Sequence, residues 1–330
     1  MIFKSNWEKK DEQFKLPSTL IQQAVTALMP HMQLASCEII SGGCANLNIK
    51  INFKEDAKPY ILRVYLRDKD AAYREQKIAQ LLHGLIPLPQ VYCIGDYNAY
   101  RFAITEYRSG ITLRDLLLGN QSHDVGDMMY DVGMMLASIH SSPFAPRFPT
   151  SGFFDKELNI AQKLSQEGFV FCVKDSLQHK TVKEKLRQTV IAKIEFFLEK
   201  FGHLYPGEKD NHLVHADFDP ANIFMQQVNG EWKIAAILDW EFAFSGSMLC
   251  DMANMLRYAH HMPEIYTKGF LQGLQDGGVC LPNEWQIRVH MLNILSLLQC
   301  LVHCPPEERP NQCKDICELM VYIIDELEAS

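Results

Sequence analysis

Positive charge is in short supply in this chain of 330 residues: 32 Lys and Arg stand against 40 Asp and Glu, a net charge of −8 and a pI near 5.8. Without a basic surplus there is little to grip a phosphate backbone or an anionic bilayer, so neither nucleic acid nor a membrane is an expected partner. Long apolar runs are missing too. The segment Met1 to Lys10 has no apolar stretch of signal-peptide type, and the most apolar later run, Leu292 to Val302, is interrupted by Asn293, Ser296 and Gln299. That falls well short of the roughly 20 residues needed to span a bilayer, and a cytoplasmic location is the expectation. Cysteine is thinly spread, with 10 residues along the whole chain, which does not describe a small disulfide scaffold and points to reduced thiols. One cluster, Cys300, His303, Cys304, Cys313 and Cys317, has enough soft ligands for zinc. Its spacings are helical instead of the C-x2-C pairs of zinc ribbons, so packing in a helix core is the preferred reading. No internal repeat or low-complexity segment is present, and an apolar fraction of 47% is enough for a core.

The hydrophobic period organises the rest. Residues 17 to 30 carry Leu20, Ala24 and Leu28 on one helical face. The period then drops to two. Leu47, Ile49, Ile51 and Phe53 alternate with polar residues, as do residues 60 to 66, predicting two strands joined by a polar turn. A helix is predicted from about Lys69 to His83, broken by Pro87 and Pro89, with strands at Val91 to Ile94 and Arg101 to Tyr107. After Ser109-Gly110 the character is helical: Leu113 to Leu118 behind Thr112, Asp124 to His140, a long helix from Thr181 to Phe201, and most of Asp251 to Ile324. A short β-rich island, 213 to 238, with a turn at Asn229-Gly230, interrupts the helices. The chain therefore divides into 1–108 and 109–330.

The island carries the chemistry. His215-Ala216-Asp217-Phe218-Asp219-Pro220-Ala221-Asn222 fits H-x-D-x-x-x-x-N, the pattern of a phosphoryl-transfer loop. A carboxylate there must reach an acceptor hydroxyl while an amide oxygen on the same loop faces the other way and holds a metal against the triphosphate. One strand later, Asp239 ends the apolar run Ala235-Ala236-Ile237-Leu238, where a carboxylate can hold Mg²⁺ against nucleotide phosphates. Asp219 is a second carboxylate in the loop, open either to a cationic acceptor or to solvent.

Upstream, Arg63 lies in a strand and Glu75 on the next helix, on the face of Ala71, Ile78 and Leu82 that turns toward the sheet. A buried carboxylate is costly unpaired, and Arg63 is its natural partner, with N–H groups left over for α/β-phosphates. Ahead of that pair, Gly42 and Gly43 in Ser41-Gly42-Gly43-Cys44-Ala45-Asn46 join two strands and let backbone N–H groups approach phosphates, although the loop is not G-x-G-x-x-G.

Strand-Arg, helix-Glu, H-x-D-x-x-x-x-N and strand-Asp in this order resemble the aminoglycoside phosphotransferase and choline kinase branch of the protein-kinase-like fold, over about residues 36 to 260. His215-Ala216-Asp217 stands where that branch usually has H-G-D, Leu238-Asp239-Trp240-Glu241 replaces D-F-G, and no A-P-E element follows. Leu136 to His140 is similar to the family's L-x-x-L-H helix end, and Asp251-Met252-Ala253-Asn254 to its D-x-A/G-N.

The resemblance implies an α+β, bilobal fold, with a small antiparallel-sheet lobe carrying one inserted helix and a larger, mainly helical lobe. It implies Asp217 as catalytic base, Asn222 and Asp239 as Mg²⁺ ligands, and Arg63 with Glu75 as the phosphate-orienting pair. Glu106-Tyr107-Arg108 would be the hinge that hydrogen-bonds the adenine. Asp251 and His215 would brace the loop, and Glu241 would stand behind the metal ligands or form a salt bridge, the latter being preferred. Arginine at position 63, where protein kinases use lysine, is a fork and not a point charge, which changes its phosphate contact. The expected activity is transfer of the γ-phosphoryl of ATP, with GTP as the other nucleotide to consider, to a hydroxyl of a small molecule. Cationic or amino-bearing acceptors, aminoglycoside-like or choline-like, are the candidates that the family suggests. A protein-hydroxyl kinase and a non-catalytic nucleotide-binding regulator of the same fold are the competing readings.

Overall fold

A computed structural model describes residues 3–8, 16–40, 46–121, 123–141, 145–304 and 307–330. The loop holding Gly42 and Gly43 lies outside these residues.

Helix α1 (Ser18–Leu28) precedes strands β1 (Leu34–Ile40), β2 (Leu47–Phe53) and β3 (Pro59–Tyr65), helix α2 (Ala71–Leu81), and strands β4 (Val91–Tyr97) and β5 (Tyr100–Glu106). The strands form one antiparallel sheet in the order β1-β2-β3-β5-β4. Period-two alternation decides the two faces. Leu47, Ile49, Ile51, Leu62, Val64, Phe102 and Ile104 are buried with Ile21, Ala24 and Val25 of α1 on one side. Their neighbours Arg63, Tyr65 and Ala103 point to the opposite face, where Tyr65 and Ala103 meet Ala71 and Ala72 of α2. Helix α1 lies so close to β4 that a Cβ on Gly95 would sit 2.6 Å from Leu28 Cδ2.

The helical lobe begins with β6 (Ile111–Thr112), α3 (Leu113–Leu118) and α4 (Val125–His140). Thr112 and Asp124 cap these helices, accepting from Asp115 N and Asp127 N at 3.0 Å each. There follow β7 (Gly152–Phe154), β8 (Ile160–Lys163), α5 (Gln166–Gln178), α6 (Lys180–Lys185), α7 (Gln188–Phe201), β9 (His212–Val214), β10 (Ile223–Val228), β11 (Glu231–Ile237) and β12 (Phe244–Gly246). Four helices close the chain: α8 (Leu249–Leu256), α9 (Glu264–Asp276), α10 (Trp285–Val302) and α11 (Pro310–Glu328). Helices α4 and α9 cross at glycines, where a Cβ on Gly133 would meet Phe270 O at 2.2 Å and one on Gly273 would meet Tyr130 O at 2.1 Å. Asn229 and Gly230, both left-handed at φ 54° and 87°, make the tight turn between β10 and β11.

Three features depart from the sequence reading. The single helix expected over Thr181 to Phe201 is two, α6 and α7, because Leu186 is drawn into the core and it and Arg187 run extended. The stretch from about 150 to 205, expected to be helical, also holds the strand pair β7–β8 ahead of α5; β7 pairs with β12, far away in sequence. Residues 3–8 do not lie on the sheet lobe: Phe3 and Trp7 join the core of the helical lobe, so the division at residue 108 does not hold for this segment.

Cys304 and Cys313 are buried with their sulfurs 3.0 Å apart, and His303 Nδ1 lies 2.9 Å from Gln299 O. Among the described residues there is no group of His, Cys, Asp and Glu able to hold a metal in the manner of a zinc site, and no helix long and apolar enough to cross a membrane.

Candidate active site

The catalytic loop leaves the core at β9, whose Leu213 and Val214 are fully buried, and turns sharply at Ala216, held in the left-handed region at φ 70°. A non-glycine residue there costs about 1–2 kcal/mol, and the turn is pinned by α8. Asp251, fully buried, accepts the N–H groups of His215 and Ala216 at 2.9 Å each, and lies 3.3 Å from His140 Nε2 at the end of α4. Asn254, one turn further, donates to Ala216 O at 2.8 Å. His215 is a second pin: Nε2 donates to Leu238 O at 2.8 Å, while Nδ1 accepts from Asp217 N at 3.2 Å. These bonds make the His-Ala-Asp turn rigid and tie it to the end of β11.

Asp217 emerges from this turn partly exposed. Its Oδ2 accepts from Asn222 Nδ2 at 2.9 Å, and the same nitrogen donates to Asp217 O at 2.9 Å. With its nitrogen committed twice to Asp217, the Asn222 amide turns its oxygen the other way. Asn222 O in turn accepts Leu238 N at 2.8 Å, which brings Asp239 alongside. Asp239 is itself left-handed, φ 69°, swinging its carboxylate from the end of β11 toward the sheet lobe.

From that lobe, Arg63 on β3 reaches both Glu75 on α2, at 3.2 Å, and Asp239, with which it forms a close ion pair. Tyr65 donates its hydroxyl to Glu75. Burial pushes the Glu75 carboxyl up against the opposing pull of Arg63. Arg63 Nε is buried without a hydrogen-bond partner among the described residues, a donor still available. Glu241 does not form the expected salt bridge: its Oε2 accepts from Asn46 Nδ2 at 2.7 Å, and among the described residues no cation lies within ion-pairing distance. Burial first, and then the nearby Asp239, push the Glu241 carboxyl up to about 8.

The set Glu75, Asp239 and Glu241 outnumbers the single guanidinium between them. A hard divalent cation fits this excess of negative charge, and the oxygens that could hold it are those of the Asn222 amide and the Asp239 carboxylate. Glu241 Oε1 is buried without a hydrogen-bond partner among the described residues.

Between the lobes opens a cleft of about 860 Å³. Arg63, Glu75 and Asp239 form its inner end, and Glu106, Tyr107 and Arg108 its hinge side. Ile61 and Val91 above, with Phe224 and Ile237 below, make a slot suited to a flat aromatic ring. Lys50 Nζ stands 4.8 Å over the Tyr107 ring, and Arg108 pairs with Glu106 at 2.8 Å.

The sequence reading overlooked Lys4. Its ammonium lies 2.8 Å from Asp217 Oδ1 and 3.2 Å from Asp219 Oδ2. Asp219 is thus neither in solvent nor open to a ligand; its side chain is 0% exposed. Phe3 and Trp7, two large aromatic residues close to the terminus, were the available signal that this segment packs onto something.

Residues 36–286 match the model of the phosphotransferase enzyme family. No curated protein matches by sequence. Among solved structures, aminoglycoside phosphotransferase APH(4)-Ia, in a ternary complex with AMP-PNP and hygromycin B, is similar with a TM-score of 0.71 at 17% identity, covering 93% of this chain and 98% of that one. A choline kinase of Streptococcus pneumoniae is similar at 0.61 and 13% identity, over 93% and 98% of the two chains. An ethanolamine kinase of Plasmodium vivax gives 0.53 at 14% identity, over 88% and 81%. At these identities the structural likeness speaks for a shared kinase-like fold. The family match covers most of the chain, and the protein belongs to the phosphotransferase enzyme family.

Proposed function

We propose that this phosphotransferase moves the γ-phosphoryl group of ATP onto a hydroxyl of a small molecule. The observation that carries the reading is the junction of Asp217, Asn222 and Asp239: the Asn222 side-chain amide binds the base carboxylate through its nitrogen, and its backbone carbonyl accepts the N–H of Leu238, the residue before Asp239. ATP is favoured because the similar aminoglycoside phosphotransferase was crystallised with AMP-PNP; GTP is the comparison nucleotide.

The adenine would enter the apolar slot beside Glu106 and Tyr107, leaving the phosphates at the inner end. Arg63, held by Glu75, donates to the α/β-phosphates from a fixed fork. Mg²⁺, when bound by Asn222 and Asp239, would neutralise charge on the transferring group. Asp217 orients the acceptor hydroxyl within about 2.6–3.2 Å and takes its proton. The acceptor oxygen forms the new bond to phosphorus, the bond from phosphorus to the β-bridging oxygen breaks, and ADP leaves. Positioning and fixed charge do the catalytic work, which suits a loop pinned by Asp251 and Asn254.

The test is a thermal-shift titration with Mg-ATP and Mg-GTP on the wild type and Asp239→Ala, together with ADP release from Asp217→Asn. Nucleotide at about 100 times its dissociation constant adds roughly 2.7 kcal/mol, a rise of several degrees for a chain of this size. The expected result is a metal-dependent rise lost in Asp239→Ala, and an Asp217→Asn protein that keeps the rise while its turnover falls by orders of magnitude. No rise with either nucleotide, or undiminished turnover in Asp217→Asn, would overturn the reading.

A further inference from the structure

The segment Phe3 to Glu8 crosses the acceptor side of the catalytic loop, anchored at both ends. Phe3 is fully buried, its ring 5.6 Å from that of Tyr258 and 6.0 Å from that of Tyr266 on α9. Trp7 donates its indole N–H to Asp315 of α11 at 2.7 Å, a buried carboxylate that also accepts the Tyr258 hydroxyl. Glu8 accepts the N–H groups of Asn311 and Gln312 at 2.8 and 3.2 Å, capping α11. Every one of these anchors belongs to the helical lobe, so the segment holds its place independently of the cleft.

Between the anchors, Lys4 inserts its ammonium into a niche with three walls: Asp217 Oδ1 at 2.8 Å, Asp219 Oδ2 at 3.2 Å, and the face of the Trp7 ring with its centroid at 5.6 Å. Two carboxylates and an indole face are the chemistry that recognises an alkylammonium. Asp219 exists for this niche and for little else. Its Oδ1 is used within the loop, accepting Ala221 N at 2.8 Å, and among the described residues Lys4 is the one cation within ion-pairing distance of Oδ2. Leaving a carboxylate buried that completely without its cation is costly, so Lys4 is tied to the site and not resting on it. Burial opposes the charge on Lys4, but Asp217 and Asp219 together raise its pKa.

We infer that Lys4 is a resident member of the acceptor site, filling the ammonium niche beside the base, so that the acceptor is a hydroxyl compound with no positive charge next to its reacting hydroxyl. This rests on the kinase reading above and narrows its substrate class. Lys4 acts through Asp217 and is a positioning and specificity residue. Arg257, buried and bound to the neutral side chains of Asn254 and Asn293, is a further cation near Asp217. An acceptor approaching the base therefore finds the place that an amino group would take already occupied.

The test uses the full chain and Lys4→Ala. That substitution removes Cγ to Nζ, the atoms of n-propylammonium. The thermal midpoint of Lys4→Ala is expected to rise saturably with n-propylammonium chloride and not with sodium chloride at equal ionic strength, while the wild type responds to neither. In ADP-release assays with Mg-ATP, ethanolamine is expected to leave the wild type at its water-only rate and to raise Lys4→Ala at least tenfold above its own. Lys4→Arg should behave as the wild type. If Lys4→Ala does not fold, Lys4→Gln, whose amide still donates to the carboxylates, takes its place in the ethanolamine assay. Three results would overturn the inference: no n-propylammonium response in a folded Lys4→Ala, ethanolamine turnover by the wild type equal to that of the variant, or a general rise in ATP hydrolysis on removing Lys4, which would make the segment an inhibitory plug. Failure of the kinase reading is distinguishable, since it removes the Mg-ATP shift from the wild type and leaves the n-propylammonium arm intact.

Discussion

Replacing Asp251 by Asn changes one atom in a fully buried side chain and should disable the site from a distance. The carboxylate accepts two backbone N–H groups at 2.9 Å and faces His140 Nε2 at 3.3 Å. Hydrogen bonds to a charged acceptor contribute about 1.5–3 kcal/mol each. In Asp251→Asn the new amide would keep one oxygen for one N–H and turn an NH₂ toward the other, leaving a buried donor facing a donor at a further cost of about 1–3 kcal/mol. Loss of the charge, one bond and one satisfied N–H together come to roughly 3–5 kcal/mol, a large share of the about 5–15 kcal/mol typical of a folded domain. Part of that loss comes from Ala216, whose left-handed backbone is held by Asp251 and Asn254. Freed from one of them, it relaxes and carries His215 and Asp217 with it. The expected outcome is a thermal midpoint lower by roughly 4–7 °C and ATP turnover reduced well beyond what residual unfolding explains at an assay temperature below the transition. Adding Ala216→Gly removes the steric cost of the left-handed turn, less the extra freedom gained by the unfolded chain, and should return up to about 1 kcal/mol. A midpoint within about 2 °C of wild type together with unchanged turnover would refute this account of the brace.

Gly273→Ala places a methyl 2.1 Å from Tyr130 O at the crossing of α4 and α9; the backbones must part, and a loss of about 1–3 kcal/mol is expected in thermal unfolding. Gly207→Ala, with nothing within 4 Å of the added atom, is the control and should be neutral or slightly stabilising. Burial holds His290 down at about 4, against 6.5 for the free side chain. The unfolded chain takes up its proton first, so this contribution is full above pH 6.5 and is lost as pH falls through 4. At about 1.4 kcal/mol per unit, discounted for partial exposure, it amounts to roughly 1–2 kcal/mol. Melting between pH 7 and 4 should therefore show a smaller acid loss in His290→Leu than in wild type.

What could be read in the sequence was local or strictly periodic. The spacing from Asp217 to Asn222 lies within one loop, where five residues leave few ways to arrange the two side chains. The pairing of Arg63 with Glu75, found at 3.2 Å, followed from a strand of period two facing a helix of period 3.6. The helix break at Leu186 and Arg187 escaped because a good helical pattern runs straight through it and tertiary burial of Leu186 overrides it. Lys4 escaped because its partner lies 213 positions away and a segment of eight residues is too short to show a period. The left-handed conformations of Ala216 and Asp239 escaped as well, since neither residue type announces positive φ in the way glycine does.

The two ends of the phosphoryl path are built alike but are held differently. On the nucleotide side, Arg63 sits on Asp239, and that carboxylate's side chain is 30% exposed and faces an open cleft. Phosphate oxygens and a divalent cation can each replace one half of this pair without stranding a charge, because Glu75 keeps the guanidinium. On the acceptor side, Lys4 sits on Asp217, and the second carboxylate of that pair, Asp219, has 0% exposure. Removing the ammonium would strand a charge in the protein interior unless another cation arrived in the same step. Under the proposed function, the first contact is exchanged in each catalytic cycle and the second persists through it. On that proposal the nucleotide is read by trading ion pairs and the acceptor by a charge already in place.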